Sequence, residues 1–274
     1  LPIYVADEKG YFLDQGLEVD IISPSETSDA LKLAASGHMD LAVSYQPQTI
    51  IAADQGIPIK VVAPLVVHPL TTLLFLSGKG IKTPSDLSHK KIGYTVPGLM
   101  DVLLKAFAAI NKIQGYTPVN VGFTILPALV SNKVDAVMGP FKTYETVGMA
   151  QHGYKAQFFE LEKWGIPDYE ELIFVCGQKV LKEKPAAVKG FVKAIEKAFA
   201  YTKDDPEDAL ATYLSAVPQA DKRIETKAFE LTLPYFAVKS GHNPAKWQAF
   251  ADFALEYGLI KNKVDAAMLI HDWN

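Results

Sequence analysis

Ala35-Ser36-Gly37-His38-Met39-Asp40-Leu41-Ala42-Val43-Ser44-Tyr45-Gln46-Pro47 decides how this chain folds, because its pattern returns as Leu129-Val130-Ser131-Asn132-Lys133-Val134-Asp135-Ala136-Val137-Met138-Gly139-Pro140-Phe141. In each copy a helix ends at Gly or Asn, residues that accept the left-handed cap. An apolar residue and an Asp then lead into a short apolar strand, which runs out into Ser-Tyr-Gln-Pro or Gly-Pro-Phe. The pattern predicts, twice, a helix, a tight turn and a buried parallel strand. In open α/β sheets, ligands sit beyond the carboxyl ends of the strands. Two such units therefore predict two similar lobes facing one cleft.

Working outward, Tyr4 to Gln15 has helical apolar spacing and stops at Gly16, and Leu17-Glu18-Val19-Asp20-Ile21-Ile22 alternates as a half-buried strand. Pro24 to Ser28 is a polar loop ahead of a helix from Asp29 to Ser36. Pro47 starts a helix that Gly56 stops, and Ile59 to Val67 and Leu73 to Leu76 read as central strands. At Gly78-Lys79-Gly80 the composition changes. A capped turn (Ile81 to Leu87), a strand (Lys91 to Thr95), a helix (Met100 to Ile113), a strand (Val119 to Phe123) and the second repeat follow. A further helix runs through Tyr144 and Met149, then a strand near Gln157 to Leu161, and a strand from Glu171 to Val175 returns to the first lobe. The rest is helical, with Val188, Phe191, Val192, Ile195 and Phe199 on one stripe and helix starts near Pro206, Asp221 and Pro244. The expected division is residues 1–78 plus 171–274 in lobe I and 79–170 in lobe II, with two crossings forming a hinge. Leu1 to Ala6 reads as a helix entrance, so a strand facing the cleft, and a signal segment, are expected upstream of it.

Composition narrows the function. With 274 residues, 49% of them apolar, and a net charge of −4, the chain can bury the cores of two domains. Lys and Arg are dispersed, with no basic stripe interleaved with aromatics, so no nucleic-acid partner is expected. No apolar run approaches the roughly 20 residues of a membrane helix. The single cysteine, Cys176, lies in the apolar run Leu172 to Cys176, which excludes an internal disulfide and a cysteine-rich metal site. The histidines lack metal-ligand spacing, Cys176 has no obvious base, and no glycine-rich phosphate loop occurs. No catalytic residue, metal or cofactor is expected.

Tyr11-Phe12-Leu13-Asp14-Gln15-Gly16-Leu17-Glu18-Val19 resembles the opening of periplasmic substrate-binding proteins of the nitrate, taurine and thiamine-pyrimidine transport group. The resemblance continues through Gly37 to Ala42, Ile81 to Gly93 and Lys133 to Ala136, and covers nearly the whole chain. It implies a two-lobe, type II-like periplasmic-binding-protein fold of α/β class, with a hinge and an interlobe ligand cleft. Ser44 to Pro47 and Tyr169 to Leu172 look like the branch that binds pyrimidine precursors of thiamine. That branch also contains the eukaryotic enzyme that makes the thiamine pyrimidine. The enzyme's cysteine-rich motif would fall just before Phe174, where this chain has no cysteine cluster, and the resemblance sets Gln48 at the position of its reactive histidine. Both departures favour a binder.

What the resemblance implies for the site can be set against plainer readings. Tyr45 can stack on a heteroaromatic ring and Gln46 can pair with ring nitrogens, or both belong to an ordinary helix-start loop. Glu171 can accept from an exocyclic amine, or it is a solvated strand-start charge, and Glu170 would point the other way. Phe141 or Tyr144 can close the other face of a ring, Tyr169 is a weaker aromatic candidate, and each of these can equally be core. Ser25, with Thr27 and Ser28, can hold a formyl, hydroxyl or phosphate oxygen, or cap a helix. Asp40 and Asp135 read as structural. The expected ligand is an aminopyrimidine of the hydroxymethyl- or formylaminomethyl-pyrimidine class. The expected protein is a monomeric, extracytoplasmic binder that delivers this ligand to ABC permease subunits. A sulfonate, nitrate or riboflavin-like ligand, a pyrimidine synthase and a ligand-sensing regulator domain are the alternatives.

Overall fold

The computed structural model describes residues 1–23 and 29–273; Ser25, Thr27 and Ser28 lie outside the described residues. Its strands form two sheets. The first has the order β1 (Ala42–Ser44), β8 (Leu172–Gly177), β2 (Ile59–Val66), and both neighbours of β8 run antiparallel to it. The second has the order β5 (Thr117–Asn120), β4 (Lys91–Tyr94), β6 (Ala136–Phe141), β3 (Thr71–Leu76), β7 (Ala156–Glu160). Here β4 runs parallel to β5 and β6, while β3 is antiparallel to β6 and β7.

Both repeat units form, and their caps explain why. The helix α2 (Ala30–Ser36) ends at Gly37 with φ 79°, and α5 (Ile125–Val130) is followed by Asn132 with φ 56°. Gly and Asn tolerate this left-handed backbone at little cost, so each turn can aim its chain into a strand. Asp135 then accepts from the Lys91 N–H at 3.0 Å and Asp40 pairs with Lys184 at 2.7 Å, both as structural ties. Among the described residues only the second unit's strand has a parallel partner, β4, while its other neighbour, β3, is antiparallel. In the first unit β1 pairs antiparallel with β8, not in the parallel arrangement the pattern predicts.

The passage between sheets comes earlier than Gly78. β3 pairs with β6 and β7, so the chain leaves the first sheet across Val67 to Leu70 and returns across Ile166 to Glu171. Thr71 to Leu76 is apolar enough for either sheet, and periodicity does not say which edge a strand will pair with. The helices α1 (Pro2–Glu8), α8 (Pro185–Asp204) and α9 (Pro206–Ala216) pack beside the first sheet. Val188, Phe191, Val192, Ile195 and Phe199 are all buried there, with Phe191 against Phe174 at 5.1 Å and Phe12 at 5.3 Å. Asp221, accepting from Arg223 N–H, caps α10 (Lys222–Thr232), and Asn243 caps α11 (Pro244–Glu256). No helix among the described residues is long and apolar enough to cross a membrane.

Candidate functional site

Tyr45 lies where β1 ends, as the N-cap of α3 (Gln46–Asp54), and Pro47 sits in that helix's first turn. The equivalent end of β6 leads through Phe141, Lys142, Thr143 and Tyr144 into α6 (Glu145–Gln151). Burial pushes the Tyr45 phenol up, and the negative charges of Glu171 and Glu145 add to this. Phe141 packs against the cores of both halves.

Gln46 is fully buried and half used. Its side-chain oxygen accepts from the Glu170 N–H at 2.7 Å, while its Nε2 has no partner. A buried donor without an acceptor costs about 1–3 kcal/mol, which an incoming acceptor would recover.

Glu171 is also fully buried. Its Oε2 accepts from Leu70 N–H at 2.6 Å, Thr71 N–H at 2.7 Å and the Tyr169 hydroxyl at 3.3 Å; its Oε1 accepts only from the Thr71 hydroxyl, at 2.8 Å. Burial raises the pKa of this carboxyl, and those four donors oppose the rise. Glu171 thus joins the returning strand to the departing one, and each carboxylate oxygen has two lone pairs, so Oε1 retains capacity for one further donor. Tyr169 is buried with its ring edge-on to Phe250 at 5.3 Å, and its phenol is held well above the usual value, chiefly by burial.

The remaining expected residues separate. Tyr144 is 44% exposed and donates to Glu225 of α10 at 3.0 Å. Lys142, which follows Phe141, is bound by Glu160 at 2.8 Å and Glu162 at 3.1 Å. Burial works against its charge, yet the two carboxylates hold its pKa above the usual value. Gln48 accepts from the Ser44 hydroxyl at 3.1 Å. Cys176 is buried without a disulfide, its thiol pushed up to about 12 by burial. No group of three or more metal-ligating side chains occurs among the described residues.

Two groups carry no signal in sequence. Glu145 accepts from the Phe141 N–H at 2.6 Å, and burial pushes its carboxyl up to about 7. The His242 side chain is buried, with Nδ1 at 2.7 Å from Glu170 and its ring edge-on to Trp247 at 5.8 Å. A glutamate at a helix start and a histidine in a Gly-His-Asn-Pro loop ordinarily face water, and here distant elements cover them.

The family described as NMT1/THI5 like matches residues 1–209. The chain belongs to this family. Among NMT1/THI5-like relatives, a Haemophilus influenzae protein named for thiamine biosynthesis is 35% identical over 264 residues, covering 94% of this chain and 83% of its own. The formylaminopyrimidine-binding protein of Halalkalibacterium halodurans is 31% identical over 221 residues, covering 80% and 67%. A 4-amino-5-hydroxymethyl-2-methylpyrimidine phosphate synthase of Saccharomyces cerevisiae is 30% identical over 251 residues, covering 86% and 73%. In fold, the alkanesulfonate-binding protein SsuA of Xanthomonas axonopodis pv. citri superposes with a TM-score of 0.77 at 17% identity, covering 99% of this chain and 94% of that one. This NMT1/THI5-like chain therefore has the α/β fold of the periplasmic binding proteins.

Proposed function

We propose that the protein captures a thiamine-related aminopyrimidine, of the hydroxymethyl- or formylaminomethyl-pyrimidine class, between its two halves. The observation that carries this is the unpartnered Nε2 of fully buried Gln46, beside Tyr45 at the end of β1. A ring nitrogen or formyl oxygen would give that donor its acceptor. Tyr45 would stack on one ring face, and Phe141 or Tyr144 would close over the other. Glu171 would take an exocyclic N–H on Oε1, with Tyr169 holding the carboxylate in place. Ser25 belongs to the same proposal, as a contact for the ligand's side-chain oxygen. Kinship with a formylaminopyrimidine-binding protein supports the reading.

The same reading makes the chain the extracytoplasmic, monomeric solute-binding component of an ABC importer, handing its ligand to permease subunits. A sulfonate or nitrate is less favoured, because Lys142 is taken by Glu160 and Glu162 and offers no free cation to an anion; a riboflavin-like solute is left to the titration below. Synthase activity is the second reading, supported by the yeast relative. Against it stand Gln48, engaged with Ser44, and a β8 whose one cysteine is buried.

Thermal-shift and calorimetric titration with aminopyrimidines, taurine, nitrate and flavins tests the proposal. A ligand at a hundred times its Kd adds about 2.7 kcal/mol of stability. An aminopyrimidine is expected to shift the wild type and to fail with Tyr45→Ala and Gln46→Ala. A shift by taurine, nitrate or flavin alone overturns the ligand assignment and leaves the fold standing.

A further inference from the structure

Glu170 and Glu171 are consecutive on the segment that returns to the first sheet, and both are buried. Two adjacent carboxylates out of water are costly unless each is separately paired. Glu171 is held by the departing segment, at Leu70 and Thr71. Glu170 has a different partner. Its Oε2 lies 2.7 Å from Nδ1 of His242, in the loop before α11, and the two side chains are only 5% and 2% exposed. An ionised carboxylate has no proton to give, so Nδ1 carries the hydrogen. The main chain of Glu170 meanwhile meets Gln46 twice. Its N–H donates to Gln46 Oε1 at 2.7 Å, and its carbonyl accepts from the Gln46 N–H at 3.3 Å. The first of these bonds fixes the Gln46 amide, because turning it over would set an NH₂ against an N–H, donor against donor. The unpartnered Nε2 is thereby kept as a donor on the side away from Glu170.

We propose that His242 is a positioning residue for ligand recognition: through Glu170 it holds the peptide that orients the Gln46 amide, so that the site presents an N–H and selects a ligand with an acceptor there. This rests on the reading of Gln46 as a ligand contact. The bond from His242 is not what keeps α11 against the crossing segments. Lys246, in the first turn of that helix, does so by binding Asp168 at 2.7 Å and donating to the Val67 carbonyl at 2.6 Å. What His242 adds is a fixed Glu170. Deprived of that donor, a buried carboxylate is driven to turn towards water or to take up a proton, and its own peptide moves with it. The Gln46 side chain, which has rotamer freedom to lose, would then offer its oxygen or its NH₂ to a ligand indifferently. Fixing it beforehand removes that ordering cost from binding and makes the choice of donor for the ligand to meet.

Two measurements test this: calorimetric Kd for an aminopyrimidine carrying a hydroxymethyl group, and exchange of the Glu170 amide, read by NMR on the ligand-free protein. His242→Leu should raise Kd about tenfold, as the loss of one well-placed hydrogen bond would. Its Glu170 amide should exchange about tenfold faster or more, while those of β8 are unchanged. His242→Asn, whose Nδ2 is bonded to Cγ as the imidazole Nδ1 is, should bring both values to within about threefold of wild type. If His242→Leu does not fold, because it leaves the Glu170 carboxylate unpaired, Glu170→Met combined with His242→Leu replaces the pair by an apolar one, and the same two losses are expected. Wild-type amide exchange at position 170 in a folded variant without the imidazole overturns the proposal, whatever the ligand. Faster exchange with an unchanged Kd also overturns it, because the peptide is then held without consequence for recognition. If the wild type binds another solute and no aminopyrimidine, the ligand reading fails, and the same comparison of Kd made with that solute decides the role of His242.

Discussion

Tyr144 donates its phenolic proton to Glu225 across 3.0 Å, tying α6, which follows the second sheet, to α10, which packs with the helices of the first. Thr232 adds a second tie by donating to Thr143 at 2.9 Å. Bonds that exist only when the halves are together favour closure by their full free energy.

Tyr144→Phe removes the first tie and keeps the ring. The bond is part-exposed, so its net worth is no more than about 1 kcal/mol. The variant should melt within about a degree or two of wild type and raise the ligand's Kd up to about fivefold by calorimetry. Small-angle scattering should show a larger mean radius without ligand. An unchanged Kd and radius would show that the contact does not bias closure.

Glu145 makes stability depend on pH in an unusual direction. Its carboxyl is pushed up to about 7 in the folded protein, against an ordinary 4.5. Between those values the folded state holds a proton that the unfolded chain has released. This group's contribution therefore rises as pH falls from about 8 to about 5. At 1.36 kcal/mol per unit, the effect is at most about 3 kcal/mol, and less to the extent that water reaches the half-buried side chain. Glu145→Gln keeps an oxygen for the Phe141 N–H and should be the more stable protein above pH 7. The measurement is the difference in urea midpoint between wild type and variant across pH. A flat difference would place Glu145 in water.

Gly139 is required where β6 runs towards the cleft. Its φ is 124°, and an added Cβ would lie 2.0 Å from the Thr95 hydroxyl oxygen. Gly139→Ala therefore meets both backbone strain and a clash, and should cost about 1–3 kcal/mol or more. Gly153→Ala, also at positive φ (80°) but with nothing within 4 Å, isolates the backbone share. Gly139→Ala should lose clearly more melting temperature than Gly153→Ala, and an equal loss would show that neither the Thr95 clash nor the more strained φ carries weight.

These residues also show what the sequence carries. Gly37 and Asn132 announce their caps, and the stripe from Val188 to Phe199 announces its buried face, because local backbone preference and spacing decide those features. Tyr45 and Gln46 could be placed at a strand end from the repeat alone. The pairing of β3 with the second sheet, the burial of Glu145 and the Glu170–His242 contact depend on elements far along the chain. Leu17 to Ile22 has a strand's alternation and no ladder, since a strand also needs a neighbour.

Glu171→Gln separates the hinge role of this side chain from a ligand role. The carboxylate gathers Leu70 N–H, Thr71 N–H, the Thr71 hydroxyl and the Tyr169 hydroxyl, all donors. An amide keeps one acceptor oxygen and turns an NH₂ towards donors, leaving at least one buried N–H or O–H unpaired. The cost should be about 1–3 kcal/mol, a few degrees in melting temperature for a chain of this size. Burial raises the Glu171 pKa, so the native carboxylate carries a desolvation penalty that the neutral amide escapes, and this offsets part of the loss. A variant that loses stability but binds an aminopyrimidine with wild-type Kd makes Glu171 a hinge clamp alone. Loss of binding in a variant that still melts cooperatively assigns Oε1 to the ligand's amine.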